Sequence, residues 1–371
     1  MSLATVNHPP GGQAILLAAN DRYLGLLAAR YGQRFLDYRK AWAEASGRRP
    51  VGPFPLSVDL AVNSGCQLSC AMCPLPSRPA FRRYEPMAQN LYARLMAQAA
   101  EYRLPALTMG LASEPLLNPL VPELIAVADR AGVMDIRLGT NGAALTENSI
   151  QRLLDTNLTR LEISVDAFEA QAYQIVRPGG DFERLCKSIE LFLTFRAKKN
   201  LIFPLLRLSF LTLPHNQHQL EPFLARWSSQ VDLISVQKPI WFPGTKIARP
   251  AHQKRPPAKA KAEKTSTLEL PGPDNCSQNA ASGQLNLIAG STEAQTQTGW
   301  CVQPWQRLGI DHLGRVWPCC SWYGEKLIEL SAAALPIAQI WQSQELENLR
   351  RSQIDGRPPE ACQLCAENGA F

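Results

Sequence analysis

NSGCQLSCAMCP, residues 63–74, carries three thiols on one short loop, at Cys66, Cys70 and Cys73. A disulfide framework would leave one of the three over. The N-terminal MSLATVNHPPGGQ has no charged region followed by an apolar one. We therefore read no signal peptide and expect a cytoplasmic setting that keeps thiols reduced. Tetrahedral zinc needs a fourth protein ligand and usually takes pairs of C-x-x-C. An iron–sulfur cluster on three thiolates leaves one iron without a protein ligand, where a small molecule can bind.

Around that loop the pattern alternates. LSVDLAV (56–62) precedes it and reads as a strand, as do ALTMGL (106–111), DIRLGT (135–140), RLEISVD (160–166), LLRLSFL (205–211) and LISVQ (233–237). Between them lie helical periodicities such as NLYARLMAQAAEY (90–102), LVPELIAVADRAG (120–132), ENSIQRLLDT (147–156) and FERLCKSIELFLTFRAK (182–198). Six short apolar strands separated by helices predict parallel β/α units, as an open doubly wound sheet or an incomplete barrel. Either architecture puts its working loops at the C-terminal ends of the strands, where the three-cysteine loop falls.

Four regions follow. Residues 1–54 form an N-terminal helical segment, with apolar residues at helical spacing over 22–45. Residues 55–240 form the β/α core. Residues 241–298 turn Pro/Lys/Arg/Ala-rich and then Ser/Thr/Gln/Asn-rich, which reads as a largely disordered insertion or linker. Residues 299–371 form a compact cysteine-rich unit. The 371 residues, 46% hydrophobic and 19% charged, suffice for one large domain and a smaller one. The formal charge of +6 is mild and much of the excess lies in 246–264, so we expect no nucleic-acid partner. No apolar run is long enough to span a bilayer.

The spacing Cys66-x3-Cys70-x2-Cys73 after a first β strand resembles the radical SAM superfamily. The resemblance implies an incomplete (β/α)6 barrel and a 4Fe–4S cluster on those three thiolates. S-adenosylmethionine would chelate the open iron, and its reductive cleavage would yield a 5′-deoxyadenosyl radical that abstracts a substrate hydrogen. Four further residues fall where the family binds S-adenosylmethionine. Glu114, in LASEPLLNP (111–119), would accept from the methionine ammonium, although Ala112 and Ser113 replace the usual two glycines. Asn141, in GTNG, would meet the ribose, and Ser164, in EISVDA, the carboxylate or ribose. Arg177, in YQIVRPGGDFERL, would grip the carboxylate with two parallel hydrogen bonds. Asp166 is equally suited to cap the following helix. Cys186, among apolar helix neighbours, reads as a small core residue.

CVQPWQRLGIDHLGRVWPCCSWYGE (301–325) and CQLC (362–365) hold a second thiol set, around a strand–turn–strand pattern. It resembles the SPASM/twitch type of auxiliary cluster domain. That implies a second 4Fe–4S cluster on Cys301, Cys319, Cys362 and Cys365, although four thiolates also satisfy a zinc ribbon. Cys320 is left over. It can replace Cys319 as ligand, stay inert, or serve as a hydrogen-atom donor. Cys276 has no partner in view. Enzymes of this type need an electron donor such as flavodoxin or ferredoxin. The resemblance points to net oxidation of a small-molecule substrate (sugar- or aminocyclitol-like), with peptide maturation and RNA modification as alternatives. The reading without catalysis is an iron–sulfur scaffold or electron carrier.

Overall fold

A computed structural model of the chain describes residues 13–15, 17–45, 51–79, 82–247 and 301–370. Most of the expected insertion, from residue 248 to 300, lies outside the described residues, and Cys276 with it.

The six core strands are β2 (Ser57–Leu60), β3 (Ala106–Met109), β4 (Asp135–Thr140), β5 (Arg160–Ser164), β6 (Leu205–Leu211) and β7 (Leu233–Gln237). Each pairs with the next in parallel. Helices α3 (Gln89–Glu101), α4 (Val121–Arg130), α5 (Glu147–Leu154), α6 (Ala170–Val176), α7 (Phe182–Lys198) and α8 (Leu220–Trp227) connect or flank them. Strand periodicity explains the wall. Alternate residues Val58, Leu60, Leu107, Ile136, Leu138, Leu161, Ile163, Leu206 and Leu208 are at most 1% exposed and pack against those helices in the main core. The intervening positions carry Ser57, Asp59, Asp135, Arg137, Arg160, Glu162, Arg207 and Ser209 and face the barrel interior.

Both edges of this partial barrel are extended. β8 (Arg307–Ile310) runs parallel to β2 in the register Ser57↔Arg307 to Leu60↔Ile310, and β9 (Val316–Trp317) turns back antiparallel. The C-terminal unit is thus continuous with the barrel sheet rather than a separate cap. At the other edge β1 (Gln13–Ile15) pairs antiparallel with β7, so nine described strands run in the order β1-β7-β6-β5-β4-β3-β2-β8-β9.

The N-terminal helical pattern resolves into α1 (Leu17–Tyr31) and α2 (Gln33–Glu44), separated at Gly32, whose φ of 59° favours glycine. Tyr23, Leu27, Phe35, Tyr38 and Trp42 pack on Ala106, Leu205 and Leu233, which begin β3, β6 and β7. These helices therefore close the barrel's N-terminal end, each large apolar side chain contributing about 1.5–3 kcal/mol of burial. The opposite end stays open for chemistry.

Candidate active site at the barrel mouth

The three-cysteine loop leaves β2 and is tied down by backbone bonds from several elements. Gly65 O accepts from Glu114 N at 3.0 Å, and Ser69 N and Ala71 N donate to Pro178 O and Val176 O at 2.9 Å each. Lys246 N and Ile247 N both donate to Ala71 O. Residues 241–247, which composition assigned to the insertion, are thus packed on this loop, with Trp241 and Ile247 buried beside Ala71.

Each loop sulfur faces a nitrogen donor. Asn141 Nδ2 lies 3.4 Å from Cys66 Sγ, Arg177 Nη1 lies 3.6 Å from Cys70 Sγ, and Leu75 N lies 3.4 Å from Cys73 Sγ. Such donors stabilise sulfur that carries negative charge, as a ligated thiolate does. Burial meanwhile pushes the free thiols up, Cys66 to about 12 and Cys73 to about 11, so metal binding must displace their protons. The donor set fits a three-thiolate iron–sulfur cluster.

Glu114 is 2% exposed. Its carboxylate accepts from Thr140 Oγ1 at 2.6 Å, Asn141 N at 2.7 Å and Leu116 N at 3.1 Å. Burial raises its carboxyl above the ordinary value against the pull of these donors. The carboxylate therefore clamps the turn that aims Asn141 at Cys66. Ala112 holds φ 54°, so the chain keeps a left-handed turn at one of the replaced glycines and bears about 1 kcal/mol of strain there.

Arg177 is buried. Its Nε donates to Asp166 Oδ2 at 2.9 Å and its Nη2 to the same oxygen, leaving Nη1 towards Cys70. Burial opposes its charge, but the Asp166 carboxylate outweighs it and raises the guanidinium further. Asp166 does not cap α6, whose N-cap is Glu169; its second oxygen accepts from Leu211 N at 2.7 Å. Ser164 ends β5 and accepts from Ser209 Oγ at 3.4 Å, lower on the barrel wall. Sequence reasoning named no role for Thr140 or Gln67, whose Nε2 donates to Asn141 Oδ1 at 3.2 Å. Thr140 was legible in GTNG; nothing in the sequence singled out Gln67.

The second thiol set gathers around the hairpin. Cys362 and Cys365 share one face of the helix Glu360–Cys365, Cys301 precedes the helix Gln303–Gln306, and Cys319 follows β9. Burial raises all four thiols. Cys362, Cys365 and Cys320 push Cys301 up further, and Cys320, Cys301 and Cys365 do the same to Cys319, so Cys320 stands near this set as well. A Cβ on Gly324 would come within 2.5 Å of Cys319 Sγ, so only glycine lets this backbone lie against that sulfur. Cys320 is exposed and turns to Gln303 Oε1, at 3.9 Å, beside Arg307 and Asp59. Among the described residues no three His, Cys, Asp or Glu side chains are placed to hold a single metal ion. A four-iron cluster spaces its thiolates more widely. Cys186 is a core residue of α7, 6% exposed.

A partial parallel barrel with three thiols at its mouth, extended by a hairpin with four more, defines a class that the comparisons bear out. Residues 60–206 match the radical SAM superfamily, and residues 301–366 match the SPASM iron–sulfur cluster-binding domain. The chain carries a radical SAM domain and, C-terminal to it, a SPASM domain. Its radical SAM domain implies a 4Fe–4S cluster and S-adenosylmethionine binding. A probable GTP 3′,8-cyclase of Methanococcus maripaludis is 28% identical over 134 residues, 36% of this chain and 44% of that protein. The GTP 3′,8-cyclase of Limosilactobacillus fermentum is 25% identical over 144 residues, 38% of this chain and 43% of that protein. The chain thus spans under half the length of these curated relatives. Streptococcus suis SuiB bound to S-adenosylmethionine superposes with a TM-score of 0.57 at 14% identity, over 85% of this chain and 72% of SuiB. Native anSMEcpe with bound AdoMet gives 0.54 at 13% identity, over 84% of this chain and 88% of that one. These likenesses show the fold. No described helix is long and apolar enough to cross a membrane.

Proposed function

We propose that the protein binds S-adenosylmethionine at the barrel mouth and uses it to remove a hydrogen atom from a substrate held in the lumen, in a net two-electron oxidation. When bound, the cofactor and its cluster supply one-electron cleavage of a sulfonium and, through it, hydrogen abstraction. Cys66, Cys70 and Cys73 would hold the cluster. Glu114 would accept from the cofactor's ammonium while bracing the Thr140–Asn141 turn, and Asn141 and Ser164 would meet its ribose and carboxylate. Arg177, with its fork on Asp166, would offer only Nη1 to the cofactor carboxylate, so its stronger contribution is to fix the Cys70 side of the loop. Cys301, Cys319, Cys362 and Cys365 would hold the group that receives the second electron. The observation that carries this reading is the donor facing each of the three loop sulfurs.

The test is anaerobic reconstitution, with about eight irons per chain expected and roughly four after a triple alanine change at Cys66, Cys70 and Cys73. Reduced with S-adenosylmethionine, the protein should release 5′-deoxyadenosine, and the triple variant should not. Zinc in place of iron would sink the reading.

A further inference from the structure

Below the mouth the lumen is lined with charge, unlike the aliphatic layers that fill a closed eight-stranded barrel. Three pairs stand there: Arg307 Nη1 with Asp59 Oδ2 at 3.1 Å, Arg207 Nη1 with Glu162 Oε2 at 3.2 Å, and Arg137 Nε with Asp135 Oδ2 at 3.6 Å. Asp135 also accepts from Tyr23 and Thr159. A fourth guanidinium, Arg160, lies over the Tyr23 ring at 4.9 Å. Among the described residues this layer sets four guanidiniums against three carboxylates.

The network is also incomplete. Arg207 is 6% exposed, yet among the described residues its Nε and Nη2 have no hydrogen-bond partner, and neither does Nε of Arg137, Arg160 or Arg307; two acceptors of the same layer, Asp59 Oδ1 and Thr108 Oγ1, are also unpaired, so the donors outnumber them. A buried donor left unpaired costs about 1–3 kcal/mol, and more when charged. An array serving only to close the barrel has no reason to carry so many. Burial, with the like charges of Arg160 and Arg137, pulls the Arg207 guanidinium down despite Glu162. One inward step nearer the mouth, β4 and β6 carry Gly139 and Ser209. Small side chains there keep bulk out of the layer between the guanidiniums and the Thr140–Asn141 turn. Cys320 and Tyr38 border the Arg307 side.

We infer that the substrate carries an anionic group, a carboxylate or a phosphate, which enters the lumen first and is held by Arg207 and Arg160. This rests on reading the lumen as the substrate chamber. The anion completes the unpaired donors and neutralises the surplus charge, while the opposite end of the substrate is presented to the mouth. Glu162, the most open of the three carboxylates at 26% side-chain exposure, opposes the anion and limits its affinity.

Calorimetric titration of the anaerobically purified protein with inorganic phosphate, and separately with succinate, tests this. One of the two should saturate, and its chemistry identifies the substrate group. Arg207→Gln should weaken that binding roughly tenfold or more. Glu162→Gln should tighten it, an outcome that neither misfolding nor a purely structural role of the layer produces. No saturable binding of either anion to the parent, or no gain in Glu162→Gln, overturns the inference. S-adenosylmethionine binding is measured on the same samples. Intact cofactor binding without anion binding sinks the anion site alone, whereas anion binding without cofactor binding sinks the proposed function and leaves the site standing.

Discussion

The Arg177–Asp166 pair joins the cluster loop to the barrel, and a double-mutant cycle measures it. Nε and Nη2 of Arg177 share Asp166 Oδ2, with Asp166 1% and Arg177 9% exposed. Arg177→Gln leaves a buried carboxylate with one strong donor, Leu211 N at 2.7 Å. Asp166→Asn leaves a buried guanidinium. Asparagine is the suitable partner change because φ is 60° at this position, which asparagine tolerates, and its amide oxygen still accepts from Leu211. Removing one member of a buried pair costs about 3–5 kcal/mol, a large share of the roughly 5–15 kcal/mol by which domains are stable. The double variant removes both charges, so its loss should fall short of the summed single losses by about 2–3 kcal/mol. Urea unfolding of the anaerobically purified protein, compared at a common slope, gives these values. The same variants separate two roles for Arg177. If its fork is committed to Asp166, Asp166→Asn frees it and should tighten S-adenosylmethionine binding, while Arg177→Gln weakens it. Additive single losses, or equal cofactor affinity in all three variants, would refute the pairing argument.

Ala112→Gly should stabilise the protein by up to about 1 kcal/mol, because it relieves the left-handed turn before Glu114; an equal or lower unfolding midpoint would show that the turn is unstrained. Burial holds the Glu114 carboxyl above the ordinary glutamate range, so its ionisation costs the fold free energy that is lost as pH rises through the raised value. Melting followed from about pH 4 to about pH 8 should therefore show the parent declining relative to Glu114→Gln as pH increases, and parallel profiles would contradict this. Gly324→Ala sets a Cβ 2.5 Å from Cys319 Sγ and should cost the C-terminal iron selectively, leaving roughly four irons and intact 5′-deoxyadenosine release. Cys320→Ala should keep full iron content and product formation; solvent deuterium at the attacked carbon, with no change of oxidation level, would instead make that thiol the hydrogen donor.

The loop and strand order were legible because their signals are local. Three cysteines at fixed spacing after an apolar strand, with the acids and amides at later strand ends, identify the mouth without any knowledge of packing. Asp166 was not legible in its role. Its position at a strand end suits a helix cap, and only the fold brings the Arg177 guanidinium across to it. The junction between barrel and C-terminal unit was hidden for a similar reason. RLGI reads as half of a hairpin, and nothing local says that its free edge pairs with β2, where Ser57 stands opposite Arg307.

The signal of the lumen lies in an alternation within the strands. DIRLGT, RLEIS and LLRLSFL look apolar when taken as runs, yet Asp135 and Arg137, Arg160 and Glu162, and Arg207 and Ser209 alternate strictly with apolar neighbours. A strand of a doubly wound parallel sheet is covered on both faces and carries near-continuous apolar residues. A period-two pattern of buried charge in parallel strands fits a different object: a wall with helices outside and a polar chamber inside. That alternation separates the incomplete barrel from the open sheet, a choice that strand count and helix spacing leave undecided. It also ties the fold to its chemistry. The charges cannot be exchanged for aliphatic residues without losing the polar lining of the chamber, and they cannot face outward without breaking the helix layer.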